Sequence, residues 1–279
     1  MKKIVAVTVM LLLLLGLCGV TALAESTVKV YVSIAGKDGN AALSMEAVAV
    51  SDIDGDGALT IHDALYAAHE AKYEGGAAAG YAASASEYGL SMDKLWGAAN
   101  GSSYGYYLND ASPQSLADAV KDGDHVSAFV YTDLTAWSDT YCYFDVKTAE
   151  GKVGDTLTLT LFAAGYDAAY NPVTLPVEGA IITVDGEATA YVTDADGKVT
   201  LSLQKEGTCV ISATSDTQTL VPPTCKVLVS ATAATPDTDE EVSSPATGEA
   251  SVAWVCGVSV AAFVLAVLAC ACRKHAYEN

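Results

Sequence analysis

Asp52, Asp54 and Asp56 alternate along the chain, Gly57 follows at once, and Asp63 stands twelfth counting from Asp52. Carboxylates at loop positions 1, 3, 5 and 12 around a glycine bend form the donor set a hard cation needs, oxygen only and converging from one tight turn. Ala58 would add its backbone carbonyl, and Thr60 occupies the ninth position, where coordination commonly passes through water. Four carboxylates gathered without a cation repel one another. The expected chemistry is therefore calcium binding, with Asp52, Asp54, Asp56, Ala58, Thr60 and Asp63 as ligands.

The elements that must hold this loop are legible from apolar periodicity. Ile61, Leu65 and Ala68, supported by Ala64, recur at helical spacing and predict a helix to about Tyr73, ended by Gly75, Gly76 and Gly80. Asp63 then falls in the first turn, where a carboxylate suits the helix dipole. Upstream, Val28, Val30, Val32 and Ile34 alternate as in a strand with one buried face, and a second β segment covers residues 45–50. The Gly-, Ala- and Ser-rich stretch 75–86 reads as a flexible connection, without the flanking strand and helix a phosphate loop requires. Residues 104–108 and 125–131 predict strands, with Asp122, Gly123 and Asp124 turning before the second. The order β, β, α, β, β fits one helix packed across a mixed sheet.

Beyond residue 139 the pattern changes. Leu157, Leu159 and Leu161 alternate with threonines, and short strands follow near Ile181, Tyr191, Leu201, Val210 and Val227, the spacing of an immunoglobulin-like β-sandwich. Asp194 and Asp196 imitate a second cation loop, but Lys198 at the fifth position makes that segment a hairpin turn. Residues 231–248, rich in Ala, Thr, Pro and acid, read as an extended linker. The fold class expected is mixed: an α+β, β-grasp-like domain at 25–135, an all-β Ig-like sandwich at 139–230, and a C-terminal transmembrane helix.

Both ends point to export. Lys2 and Lys3 precede an apolar stretch with five consecutive leucines, and Ala22, Leu23 and Ala24 provide a small-residue cleavage site, so residues 1–24 are expected to be a signal peptide. Residues 252–272 form an uncharged apolar run of 21 residues, about 31 Å as a helix against ~30 Å of hydrocarbon. Arg273 and Lys274 follow it, so residues 273–279 are expected on the cytoplasmic side and everything upstream outside. Residues 25–247 hold 32 of the 34 acidic residues and 10 of the 14 basic ones, a net charge of −22 that argues against nucleic acid as a partner and in favour of cations.

Ser244, Pro245, Ala246, Thr247 and Gly248, followed by an apolar span and a basic tail, resemble the sorting signal of sortase-anchored Gram-positive wall proteins. That resemblance implies a sortase that cleaves after Thr247 and joins it to cell-wall peptidoglycan, Pro245 presenting the bond in an extended kink. The segments IHDALYAA at 61–68, YYLND at 106–110 and VKDGDHV at 120–126 resemble the transcobalamin-like C-terminal domain, a β-grasp module of bacterial surface proteins. The acidic loop resembles the calcium repeat of dockerins and EF-hands, with Asp63 in the dockerin form, and TDADGKVTLSL at 193–203 resembles hairpins of bacterial Ig-like modules.

No catalytic constellation stands out, and the chain is not expected to be an enzyme. His62 and His69 lie seven apart, too far for a zinc pair one helical turn apart, and no HExxH, nucleophile elbow or Walker loop is present. Three cysteines fall between the two ends, Cys142, Cys209 and Cys225; the odd count permits one disulfide and one free thiol, with Cys209 and Cys225 the expected pair. Trp96, Tyr104, Tyr106 and Tyr107 are the candidate ligand surface, because these rings combine apolar area with a polar tip. The expected function is a wall-anchored surface protein presenting a calcium-stabilised ligand-binding or adhesive domain on an Ig-like stalk. The alternative is a docking module that recruits a partner protein through its calcium repeat.

Overall fold

The computed structural model describes residues 27–87 and 89–231, which lie within one compact unit. In the first half, β1 (Val28–Ala35) and β2 (Ala41–Val50) pair antiparallel. β6 (His125–Val130) then lies parallel to β1, and β5 (Tyr104–Leu108) is antiparallel to β6. The sheet order is β2-β1-β6-β5. Helix α1 (Ile61–Lys72) covers it, burying Ile61, Ala64, Leu65 and Ala68 against Val30, Val32, Val48 and Val126. A five-residue helix α2 (Gly76–Gly80) follows, and β3 (Ala82–Ser86) forms a hairpin with β4 (Gly89–Lys94).

The second half is a two-sheet β-sandwich. One sheet contains β7 (Thr140–Phe144), β9 (Thr156–Tyr166), β10 (Pro172–Pro176), β13 (Lys198–Ser202) and β15 (Leu220–Val221). The other contains β8 (Thr148–Lys152), β11 (Ile181–Val184), β12 (Glu187–Val192), β14 (Gly207–Thr214) and β16 (Cys225–Ser230), in the order β12-β11-β14-β16-β8. β9 pairs with β13 through Thr156 to Thr160, with β10 through Phe162 to Tyr166 and with β7 through Leu161 to Ala163, so one long strand serves three neighbours. Alternation fills the core: Leu159 and Leu161 from β9 meet Val227 and Val229 from β16, while Lys226 and Leu228 point away. β16 runs parallel to β8, with Lys226 opposite Thr148 and Ser230 opposite Lys152.

The expected mixed fold class needs correction. The described residues are strand-dominated from end to end, with helices of only 12 and 5 residues. Part of the stretch expected to be a loop is α2 and β3: the small alanines and serines of Ala82–Ser86 pair with β4, so backbone hydrogen bonding supplies order that apolar periodicity did not announce. No helix among the described residues is long and apolar enough to cross a membrane, and the apolar run at 252–272 lies outside them. The expected Cys209–Cys225 disulfide is corrected as well. Both thiols are free, because β14 and β16 are registered with Cys209 opposite Val227 and Cys225 opposite Ile211. The cysteines are thus diagonal neighbours, which in an antiparallel pair stand ~7–8 Å apart, beyond easy bridging distance.

A third apolar cluster, Ala35, Phe129, Tyr141 and Val221, joins the two cores. Tyr107 and Tyr141 stack there with centroids 3.6 Å apart. Gly105 faces Phe129 across the β5–β6 ladder, and a Cβ built on it would enter the Phe129 ring. Since Phe129 is fully buried, we expect Gly105→Ala to cost about 1–3 kcal/mol by pushing that ring off the junction. A lowered urea midpoint at unchanged m-value is the readout, and an unchanged midpoint would show that the ring has room to yield.

Candidate metal centre

The acidic loop connects β2 to α1, and its geometry is set by its own backbone donors. Gly55 and Gly57 take positive φ, 76° and 89°, which lets the chain curl so that its N–H groups face inward. Asp52 Oδ1 accepts from the N–H of Gly55 at 2.7 Å and Asp56 at 3.2 Å, and Oδ2 accepts from Gly57 at 2.8 Å. The Gly57 bond foremost, helped by that of Gly55, holds the Asp52 carboxyl below its ordinary range.

Asp63 is buried, with 1% of its surface exposed. Its Oδ1 accepts from Ile53 N–H at 3.1 Å, tying the loop back to the helix. Its Oδ2 accepts from Thr60 N–H at 2.8 Å and from the Thr60 hydroxyl at 2.7 Å, while Asp63 N–H donates to Thr60 Oγ1 at 3.3 Å. This is a capping box with aspartate in the third helical position. The first helical N–H groups are also used: Ile61 donates to the Asp118 carbonyl and His62 to that of Leu116. The helix start is therefore fixed from two sides.

Carboxylate oxygens of Asp52, Asp54 and Asp63 lie within 4.8 Å of one another, an arrangement able to hold a metal ion. The set is oxygen-only, as a hard divalent cation requires, and one of its carboxyl groups, that of Asp63, is buried. Asp56 is not part of the group; its Oδ1 accepts from Ala58 N–H at 2.8 Å. The Thr60 hydroxyl is spent on Asp63 and the cap.

The four aromatic residues expected to share a ligand surface divide between two places. Trp96, Tyr104 and Tyr106 pack against the first core, and Tyr107 joins the junction cluster. Trp96 meets Tyr73 edge-on at 5.1 Å, and the Tyr104 hydroxyl lies 2.8 Å from the carbonyls of Asp93 and Ala98. Period-two alternation in β5 explains the division, because Tyr104 and Tyr106 share one face and Tyr107 takes the other. The sorting residues Ser244, Pro245, Ala246, Thr247 and Gly248 lie outside the described residues.

Sequence reasoning missed a polar cluster at the junction. Lys147 Nζ is 2.6 Å from Asp110 Oδ1, which also accepts from the Tyr141 hydroxyl at 2.9 Å. Close by, Ser33 Oγ accepts from Met45 N–H at 3.0 Å and shares a hydrogen bond of 2.9 Å with His125 Nε2. The other ring nitrogen, Nδ1, is a buried atom without a hydrogen-bond partner among the described residues. Burial first, then the nearby Lys147 charge, bring the His125 imidazole down to about 4. The partners are separated by up to 92 residues in sequence, so no local spacing could have signalled them.

No protein-family model and no curated protein matches this chain. Among solved structures it is similar to the crystal structure of the N-terminal four Ig domains of Dscam1 isoform 9.44, at 12% identity over 54% of this chain and 32% of that one, with a TM-score of 0.20. The chain thus spans about a third of that structure, and a likeness this low carries no conclusion about fold or function.

Proposed function

We propose that this chain is an exported surface protein that presents a calcium-stabilised ligand-binding or adhesive head, residues 28–130, on a β-sandwich stalk, and that a sortase joins it through Thr247 to cell-wall peptidoglycan. The observation that carries the calcium part is the convergence of the Asp52, Asp54 and Asp63 carboxylates at the entrance to α1. A cation there locks the end of β2 to the start of the helix, so that occupancy and folding of the head are linked. The net charge of −22 between residues 25 and 247 suits an extracellular protein kept soluble by charge and offset by divalent cations. The SPATG motif, apolar run and basic tail support the wall linkage in their order along the sequence.

Two experiments test the reading. Enzymatic digestion of cell walls is expected to release a chain ending at Thr247, and recovery of the intact C-terminus from membranes alone would reject wall linkage. Binding of the protein to arrayed surface glycans and matrix proteins is expected to fall on chelation and return with calcium. Binding indifferent to the chelator would separate adhesion from the metal.

A further inference from the structure

We propose that the sandwich carries a second, separate binding site, a cavity between its two sheets shaped for a neutral two-ring aromatic molecule. The cavity has a volume of about 290 Å³ and opens where β12 and β14 of one sheet face β13 of the other. Its floor is apolar and fixed: Leu201 and Leu203 come from the β13 side, Ile211 and Val229 from β14 and β16, and all four are buried members of the sandwich core. Sandwich cores are normally filled by side chains of their own inner faces. Here neither the connection into β14 nor its first residues supply a plug, because Gln204, Lys205, Glu206, Gly207 and Thr208 are all exposed.

Size and wall chemistry select the occupant. A dry cavity of ~150 Å³ accepts benzene, so about twice that volume accommodates two fused rings. Tyr191 supplies an aromatic wall, and Cys209, on the same face of β14 as Ile211, offers the soft sulfur contact that ring edges favour. The Tyr191 hydroxyl accepts from Ser202 N–H at 3.2 Å, and its own proton has no acceptor among the described residues. It can therefore donate to an oxygen carried by the ring. Thr189, also in the wall, is already committed, donating to the Ile182 carbonyl at 2.8 Å and accepting from Tyr191 N–H. The rim carries Asp185 and Glu206 against Lys205 on a strongly acidic chain, which disfavours an anionic occupant.

The test uses 1-naphthol and naphthalene with the full chain. Naphthol is expected to bind saturably, read by its own fluorescence, and to slow alkylation of Cys209, followed on the Cys209 peptide by mass spectrometry, at least fivefold. Cys142 and Cys225 are buried and serve as internal controls. Cys209→Trp, which fills the cavity, should abolish that component of naphthol binding, and Val229→Phe should do the same if the first variant misfolds. Tyr191→Phe should weaken naphthol about fivefold, the effect of one neutral hydrogen bond, and leave naphthalene unchanged. No saturable binding, or binding that survives in a folded filled variant, overturns the proposal. Equal loss of naphthol and naphthalene on Tyr191→Phe overturns the role of the hydroxyl. None of these outcomes depends on calcium or on wall linkage.

Discussion

Calcium at 10 mM is expected to raise the melting temperature by about 3–10 °C, and Asp63→Ala both to remove that rise and to lower the baseline. The first number follows from linkage. Extracellular sites bind with Kd of roughly 10⁻⁴ to 10⁻³ M, so 10 mM calcium contributes about 1.4–2.7 kcal/mol, and each kcal/mol moves the midpoint of a unit this size by ~2–4 °C. The baseline loss has a separate cause. Without the Asp63 carboxylate, Ile53 and Thr60 lose the acceptor of their N–H groups and α1 loses half its capping box, together about 2–4 kcal/mol. Asp54→Ala distinguishes the two effects. Among its contacts is a long one to Asp56 N–H at 3.3 Å, so the variant should cancel the calcium response while leaving the metal-free midpoint within about 0.5 kcal/mol of the parent. A calcium response that persists in both variants would refute the site, whatever the baselines do.

Stability should also fall by about 3 kcal/mol between pH 6.5 and 4 on account of His125 alone. Its folded pKa, about 4, lies below the ordinary 6.5, so the unfolded chain takes up the proton first as pH drops. The contribution is whole above pH 6.5, declines through the interval and is gone near pH 4. The cause is packing: the ring is 7% exposed, its Nε2 is held by Ser33, and the adjacent Lys147 penalises a second cation. His69 adds in the same direction. Desolvation lowers it, and its neutral form is built into the fold, Nδ1 donating to the Leu65 carbonyl at 2.7 Å and Nε2 accepting from Trp96 N–H at 3.0 Å. Urea midpoints of His125→Gln and the parent, measured from pH 7.5 to 4.5, should converge as pH falls. Parallel curves would show that His125 does not titrate differently in the two states.

The parts of this molecule that announce themselves in sequence are those governed by a single element. Val30, Val32 and Ile34 alternate because they share the face of β1 under α1, although Ser33 and Ala35 on the other face are buried too, and Ile61, Leu65 and Ala68 recur because one side of α1 is buried. The acidic loop was legible because its ligands lie within twelve residues, although Asp56 and Thr60 found nearer partners in Ala58 and Asp63. Order that depends on a partner strand was not visible. Ala82–Ser86 has no apolar face and becomes a strand only because Gly89–Lys94 lies beside it, while the register of β14 and β16 parts Cys209 from Cys225 by one diagonal step. The junction was hidden for the same reason. Tyr141 carries no local mark of its stacking on Tyr107, and Lys147 none of its pairing with Asp110.

The parallel pairing of β8 with β16 has a mechanical consequence. Load arriving from the first half passes through β7 and reaches β8 at Thr148, and load from beyond residue 230 enters β16 at Ser230; these are opposite ends of the paired strands. Pulling then shears the strands along their length, so the ladder from Thr148 and Lys226 to Lys152 and Ser230 must give way together rather than bond by bond. Under the proposed wall linkage, with the head holding a ligand, force would run in the direction that β16 is best placed to resist.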